Sequence, residues 1–201
     1  MKACKVCLAT QNTGKIAEFQ LFLSRLAPSN PPFSLDALPT AIASPEETGT
    51  TFEENARQKA LYYSRFCPTE SLVVAEDSGL CVDSLGGAPG VFSSRFAGES
   101  ARDEDNIAKL LRELGGVENR TARFVTVIAL VEEGRVIQTF SGSVEGLIAL
   151  KPAGQNGFGY DPVFYYPPFK RCFAELSPVA KNEISHRARA MTALGRYLLK
   201  T

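Results

Sequence analysis

Two apolar runs of strand length limit what this chain can become: ACKVCLA at residues 3–9 and LVVA at residues 72–75. Each is too short for a buried helix. The residues between them carry helical periodicity, with Ile16, Phe19, Phe22, Leu23 and Leu26 in the first stretch and Phe52, Ala56, Ala60 and Tyr63 in the second. Pro28, Pro31 and Pro32 end the first helix, and Thr51 with Glu54 fits a capping box at the start of the second. A third helix is expected over residues 103–114, and an antiparallel pair over 123–131 and 135–142 turns at Glu133-Gly134. The Gly86–Gly90 and Gly154–Tyr160 stretches read as loops, and a last helix runs from Ser185 to Leu199. Strands alternating with helices, followed by a hairpin, predict an α/β domain with a mixed sheet and flanking helices.

At 201 residues the chain is long enough for one domain, residues 1–201, with a sizeable core and room for two lobes. Lys plus Arg and Asp plus Glu are equal at 22 each, so no basic excess points to a nucleic-acid backbone. No apolar run approaches the roughly 20 residues that span a bilayer, so no membrane partner is expected. Five cysteines without a second close pair favour a reducing, cytoplasmic setting over a disulfide framework.

Three groups of residues carry chemistry. Thr10-Gln11-Asn12-Thr13-Gly14-Lys15 links a strand to a helix, where free N–H groups and the helix dipole favour an anion and Lys15 adds a full charge. The segment is not a P-loop, because Ile16 stands where Ser or Thr must follow the lysine. Glu46 and Glu47 precede the second helix, and Glu76-Asp77 follow the LVVA run; such hard oxygens suit Mg²⁺ or the activation of water. In the last helix Arg187, Met191, Leu194 and Leu198 share one stripe, so Arg187 faces packed structure and needs a buried partner or a ligand. His186, the single histidine, falls off that stripe.

Taken in order, these blocks resemble the inosine triphosphate pyrophosphatase family, enzymes that act on aberrant purine nucleotides. The resemblance runs through Ala9–Lys15, Thr51–Ala56 with Lys59-Ala60, Glu76–Leu80, Leu85–Gly90, Gly157–Pro162, Ala174–Leu176, Lys181 and Ser185–Arg187. It implies an elongated two-lobed fold around a central mixed sheet, an active site in the cleft between lobes, and a homodimer. It implies Mg²⁺-dependent hydrolysis of ITP, dITP, XTP and dXTP to monophosphate and pyrophosphate. Asp77 resembles the general base and a metal ligand, with Glu47 and Glu76 as further metal candidates. Thr10, Gln11, Asn12, Thr13, Gly14, Lys15 and Lys59 match positions that grip the triphosphate. Ser78, Phe158, Gly159, Tyr160, Asp161, Lys181, His186 and Arg187 match positions around the nucleoside. Many members have Gly at the position of Gln11, Asp at that of Glu76 and Gly at that of Ala188. A non-catalytic nucleotide sensor on the same scaffold is the alternative, and the presence of Asp77 argues against it.

Overall fold

The apolar runs do become neighbouring strands. In the computed structural model, which describes residues 4–26, 33–38, 42–68 and 70–200, β1 (Cys4–Leu8) pairs in parallel with both β2 (Phe33–Ala37) and β3 (Leu72–Val82). The full sheet has seven strands in the order β2-β1-β3-β4-β5-β6-β7, with β4 at Thr121–Glu132, β5 at Arg135–Ile148, β6 at Phe164–Tyr166 and β7 at Arg171–Cys172. The β5–β6 and β6–β7 pairs are antiparallel, so the sheet is mixed as expected. β4 and β5 meet at Glu133-Gly134, whose φ angles of 48° and 74° are those of a type I′ hairpin turn. The helices are α1 (Thr13–Leu26), α2 (Phe52–Ser64), α3 (Asp103–Glu113), α4 (Pro178–Ile184) and α5 (His186–Leu198).

The chain divides into two compact units. The first contains residues 1–77, 126–142 and 187–201. Its strands alternate strictly between two cores, because successive strand residues point to opposite faces. Val6, Leu8, Val74, Ile128 and Leu130 pack with Phe19 of α1 and Met191 and Leu194 of α5. Cys7, Ala9, Val73, Ala75, Val127, Ala129 and Val131 pack with Ala56, Ala60 and Tyr63 of α2. The second unit, residues 78–125 and 143–186, buries Leu80, Val82, Ala122, Phe124, Val144 and Ile148 against Ile107, Leu110 and Leu114 of α3 and against Phe164 and Phe173. Gly146 is needed there, since a Cβ would lie 2.6 Å from the Phe164 ring.

Two expectations need correction, and two elements were not foreseen. β3 does not end after Ala75; it continues to Val82, so Glu76 and Asp77 lie mid-strand. Leu80 and Val82, beyond Gly79, are fully buried and carry the strand on. The last helix forms as expected at His186–Leu198, and a short helix that was not expected, α4, precedes it, with Ser185 extended (φ −67°, ψ 159°) between the two. The β2 strand follows the proline cluster directly and gave no clear signal; the prolines lie outside the described residues. Finally, Cys7 and Cys67 form a disulfide between β1 and the segment after α2, 60 residues apart in sequence with Cα atoms 6.5 Å apart. Sequence spacing cannot reveal such a pairing, because it depends on Cα separation in the fold. The cysteine pattern therefore loses its force as an argument for a reducing compartment. Among the described residues no helix is long and apolar enough to cross a membrane.

Candidate functional site

The first unit holds most of the predicted chemistry, and strand alternation sorts it. Glu76 and Asp77 are neighbours in β3, so they face opposite sides of the sheet. Both are buried, at 2% and 5% exposure.

Glu76 faces α1 and α5. Its Oε2 accepts from Arg187 Nε at 2.7 Å, and its Oε1 accepts from Arg187 Nη2 at 2.9 Å and lies 3.0 Å from Lys15 Nζ. Arg187 Nη1 donates to Glu18 of α1. Burial alone would raise the Glu76 pKa, but the Arg187 and Lys15 charges outweigh it and hold this carboxyl far below the usual range. Burial likewise disfavours the Arg187 charge, yet Glu76 and Glu18 raise its pKa further. A fully buried guanidinium bound by a two-point fork is a strong, geometrically specific contact. Arg187 thus does face packed structure, and its buried partners are carboxylates. Its Nε, Nη1 and Nη2 donate to them in this structure. Both Glu76 oxygens face cations, Lys15 and Arg187.

Asp77 faces α2. Its Oδ1 accepts from Lys59 Nζ at 2.8 Å, and its Oδ2 accepts from Asn55 Nδ2 at 3.2 Å. Lys59 also donates to Glu47 Oε1 at 2.9 Å, so one ammonium bridges the two carboxylates expected to serve a metal. Burial disfavours the Lys59 charge, but Asp77 and Glu47 together raise its pKa. Asn55 and Lys59 are one helical turn apart and lie on the same buried face as Phe52, Ala56, Ala60 and Tyr63. That face is fixed by the capping box predicted from sequence: Thr51 Oγ1 accepts from the Glu54 amide at 3.1 Å, and Glu54 Oε2 accepts from the Thr51 amide at 3.2 Å.

The Thr10–Lys15 turn becomes the entrance to α1. Asn12 caps the helix by accepting the Lys15 amide at 3.0 Å, and Thr10 Oγ1 accepts the Asn12 amide at 3.2 Å. Thr13 and Gly14 lie in the first turn, where the dipole favours an anion. Gln11 reaches instead to the Ile42 carbonyl at 2.6 Å, tying the turn to the segment before α2.

The second unit is organised around aromatic rings. Lys181, 5% exposed, forms an ion pair with Asp161 Oδ2 and lies 4.8 Å from the Phe158 ring centroid and 5.9 Å from that of Phe173. Asp161 also accepts the Phe158 amide at 3.0 Å. Gly157, at φ +78°, must lack a side chain, because a Cβ would meet Asp161 Oδ2 at 2.0 Å. The Gly159 amide donates to Asp103, at the start of α3. His186 is buried and stacks on Phe124, with centroids 4.8 Å apart and planes 13° apart. Tyr160 is a core residue that donates to the Ser93 carbonyl at 2.8 Å. Ser78, half-buried, is the first residue of this unit in β3.

Sequence reasoning passed over Asn55, Glu18 and Asp103 as participants. The first two had a readable signal. Asn55 and Lys59 share the apolar stripe of α2, and Lys15 and Glu18 share that of α1 with Phe19 and Phe22. A polar residue on a buried stripe needs a partner. Asp103 lies 56 residues from Gly159 and offered no such clue.

Known proteins are similar to this chain in sequence and fold. Residues 6–197 match the model of the Ham1 family. The chain is 48% identical to a dITP/XTP pyrophosphatase of Shouchella clausii, over 94% of each chain, and 44% identical to one of Bacillus subtilis, over 95% of each. Its fold is similar to that of a HAM1 protein from Coxiella burnetii, with a TM-score of 0.84, 40% identity and coverage of 98% of this chain and 100% of that one. The Ham1 protein of Staphylococcus aureus gives 0.83 and 39%, covering 98% of each.

Proposed function

Because the chain belongs to the Ham1 family, we propose that it hydrolyses the deaminated purine nucleotides ITP, dITP, XTP and dXTP to monophosphate and pyrophosphate. The observation that carries this reading is the buried Asp77 carboxylate, held on one oxygen by Lys59 and on the other by Asn55. Such a fixed carboxylate orients an attacking water and takes its proton.

Attack at the α-phosphorus releases pyrophosphate as leaving group. A triphosphate carries about four negative charges, so charge must be neutralised by positioned cations. Lys15, fixed beside Glu76, and the amides of Thr13 and Gly14 are the groups proposed to hold the phosphates. Mg²⁺ fits the donor set: Asp77 and Glu47 converge on the single ammonium of Lys59, a point of concentrated negative potential. Such an ion takes one or two carboxylates plus substrate phosphates, the number that Asp77 and Glu47 offer. When bound, the ion supplies neutralisation of the phosphate charge.

The base is assigned to the second unit. Hypoxanthine and xanthine offer O6 as an acceptor, where adenine offers an N6 donor. His186, Lys181 and the half-buried Phe158 supply donors and a stacking surface, and a site built on such donors can discriminate by about 10⁴–10⁵. Nothing on either unit is assigned to the 2′-hydroxyl, so ribo and deoxy forms are both expected as substrates. We place the activity in the cytoplasm and in a homodimer, which mass measurement in solution tests. The decisive experiment incubates the protein with ITP or ATP and Mg²⁺ and identifies the products. Pyrophosphate from ITP supports the proposal, free phosphate points to a triphosphatase, and binding without turnover points to a sensor.

A further inference from the structure

We infer that Asn55 is a positioning residue that couples the Asp77 carboxylate to the loop carrying Glu47, an inference that rests on the pyrophosphatase reading. Asn55 is fully buried, and its amide has two different ends. Nδ2 donates to Asp77 Oδ2 at 3.2 Å, and Oδ1 accepts the Gly49 amide at 2.8 Å. The two groups it joins are 28 residues apart in sequence, and neither contact is made by the helix backbone. Gly49 sits two residues after Glu47 and is packed against α2: a Cβ there would lie 2.5 Å from Asn55 Oδ1 and 2.7 Å from Glu54 Cβ. The close approach is therefore built into both partners. Lys59, one turn further along α2, makes the parallel connection between Glu47 and Asp77 through charge.

The division of labour follows from the amide. The donor end fixes the rotation of the Asp77 carboxylate, leaving it one orientation toward water. The acceptor end fixes the height of the 47–49 segment over α2. Asn55→Asp keeps the size and the acceptor for Gly49 but replaces the donor with a carboxylate oxygen facing Asp77. Gly49→Ala keeps Asn55 and its donor but pushes the segment away. The two variants separate the two ends.

The test uses the full-length protein with ITP as substrate, α,β-methylene-ITP as a non-hydrolysable ligand, and Mn²⁺ binding followed by electron paramagnetic resonance. Asn55→Asp is expected to lower kcat about 30-fold or more while KM and the affinity for α,β-methylene-ITP change less than about threefold. Gly49→Ala is expected to weaken Mn²⁺ binding about tenfold, with kcat at saturating metal within about threefold of the parent. Asn55→Ser, which cannot span both contacts, should show both defects. A kcat in Asn55→Asp within threefold of the parent overturns the inference, as does a fall in kcat matched by equal loss of ligand affinity and of thermal stability, the signature of simple misfolding. Should Asn55→Asp fail to fold, normal Mn²⁺ affinity in Gly49→Ala overturns the coupling. Absence of pyrophosphate release by the parent itself overturns the pyrophosphatase reading and this inference together, whereas an active parent with an unaffected Asn55→Asp overturns the inference alone.

Discussion

The first unit is built on charge and the second on rings. Around β3 in the first unit, Lys15, Glu18, Glu47, Lys59, Glu76, Asp77 and Arg187 form two groups of ion pairs, one on each face of the sheet. In the second unit the buried pair Asp161–Lys181 lies among Phe158 and Phe173, with His186 stacked on Phe124. Opposed charges at fixed distances suit a ligand that is itself highly charged, and they tolerate little displacement. Flat rings with a few donors suit a planar, nearly neutral base.

The comparison breaks most visibly at Asp77. Asp77→Asn keeps the side-chain shape and removes the proton acceptor, so kcat for ITP should fall by about 10²–10⁴ with α,β-methylene-ITP binding largely retained. Near-normal kcat would remove Asp77 from the role of base.

Arg187→Ala comes next, and its effect should be on folding. Removing Arg187 takes the fork from Glu76, which keeps Lys15, and takes the guanidinium from Glu18, at a cost of about 3 kcal/mol measured by denaturant unfolding. Arg187→Lys keeps charge but loses the fork and should recover only part of this. The ratio of kcat/KM for ITP and ATP should stay constant in whatever fraction folds. A selective loss of ITP turnover in a stably folded variant would return the guanidinium to base recognition.

A paired experiment sharpens the contrast between units. Lys15→Ala should weaken inhibition by tripolyphosphate about tenfold and leave inosine binding unchanged, and Lys181→Met should do the reverse, each change reflecting roughly one charge-assisted contact. Equal effects on both ligands would dissolve the division.

The smallest effect is in acid. The Glu76 pKa is lowered in the folded protein, so its contribution to stability is complete above the ordinary carboxylate value of about 4.3 and is lost as pH falls through the folded value. Lys15, Arg187 and Glu18 are the charges around it. Glu76→Gln should flatten the fall in unfolding free energy below about pH 4, measured by urea titration. An unchanged slope would assign acid sensitivity elsewhere.

Legibility in the sequence followed the same physics. The α2 capping box, the burial of Arg187 and the hairpin at Glu133-Gly134 were readable because each depends on neighbours within a turn or two. The partners of Arg187 were not, because Glu76 is 111 residues away and the packed stripe states only that some partner exists. The start of the last helix at Ser185 was readable, whereas α4 was not, because seven residues are too few to establish a helical period. The anchor of the Tyr160 hydroxyl was not legible either, because Ser93 lies 67 residues earlier.

The alternation along β3 makes that strand behave like a reading frame. Val74 and Glu76 address one partner set, and Val73, Ala75 and Asp77 the other. A substitution changes one letter, whereas inserting a single residue before Glu76 would exchange the addressees of everything after it. Glu76 would be delivered to Lys59 and Asn55, and Asp77 would turn to the face of the guanidinium but about 7 Å further along the strand. The two adjacent acids look interchangeable by composition, yet their order is the message. Exchanging them in place as Glu76→Asp with Asp77→Glu preserves charge at both addresses, while a one-residue frameshift of the strand scrambles both at once.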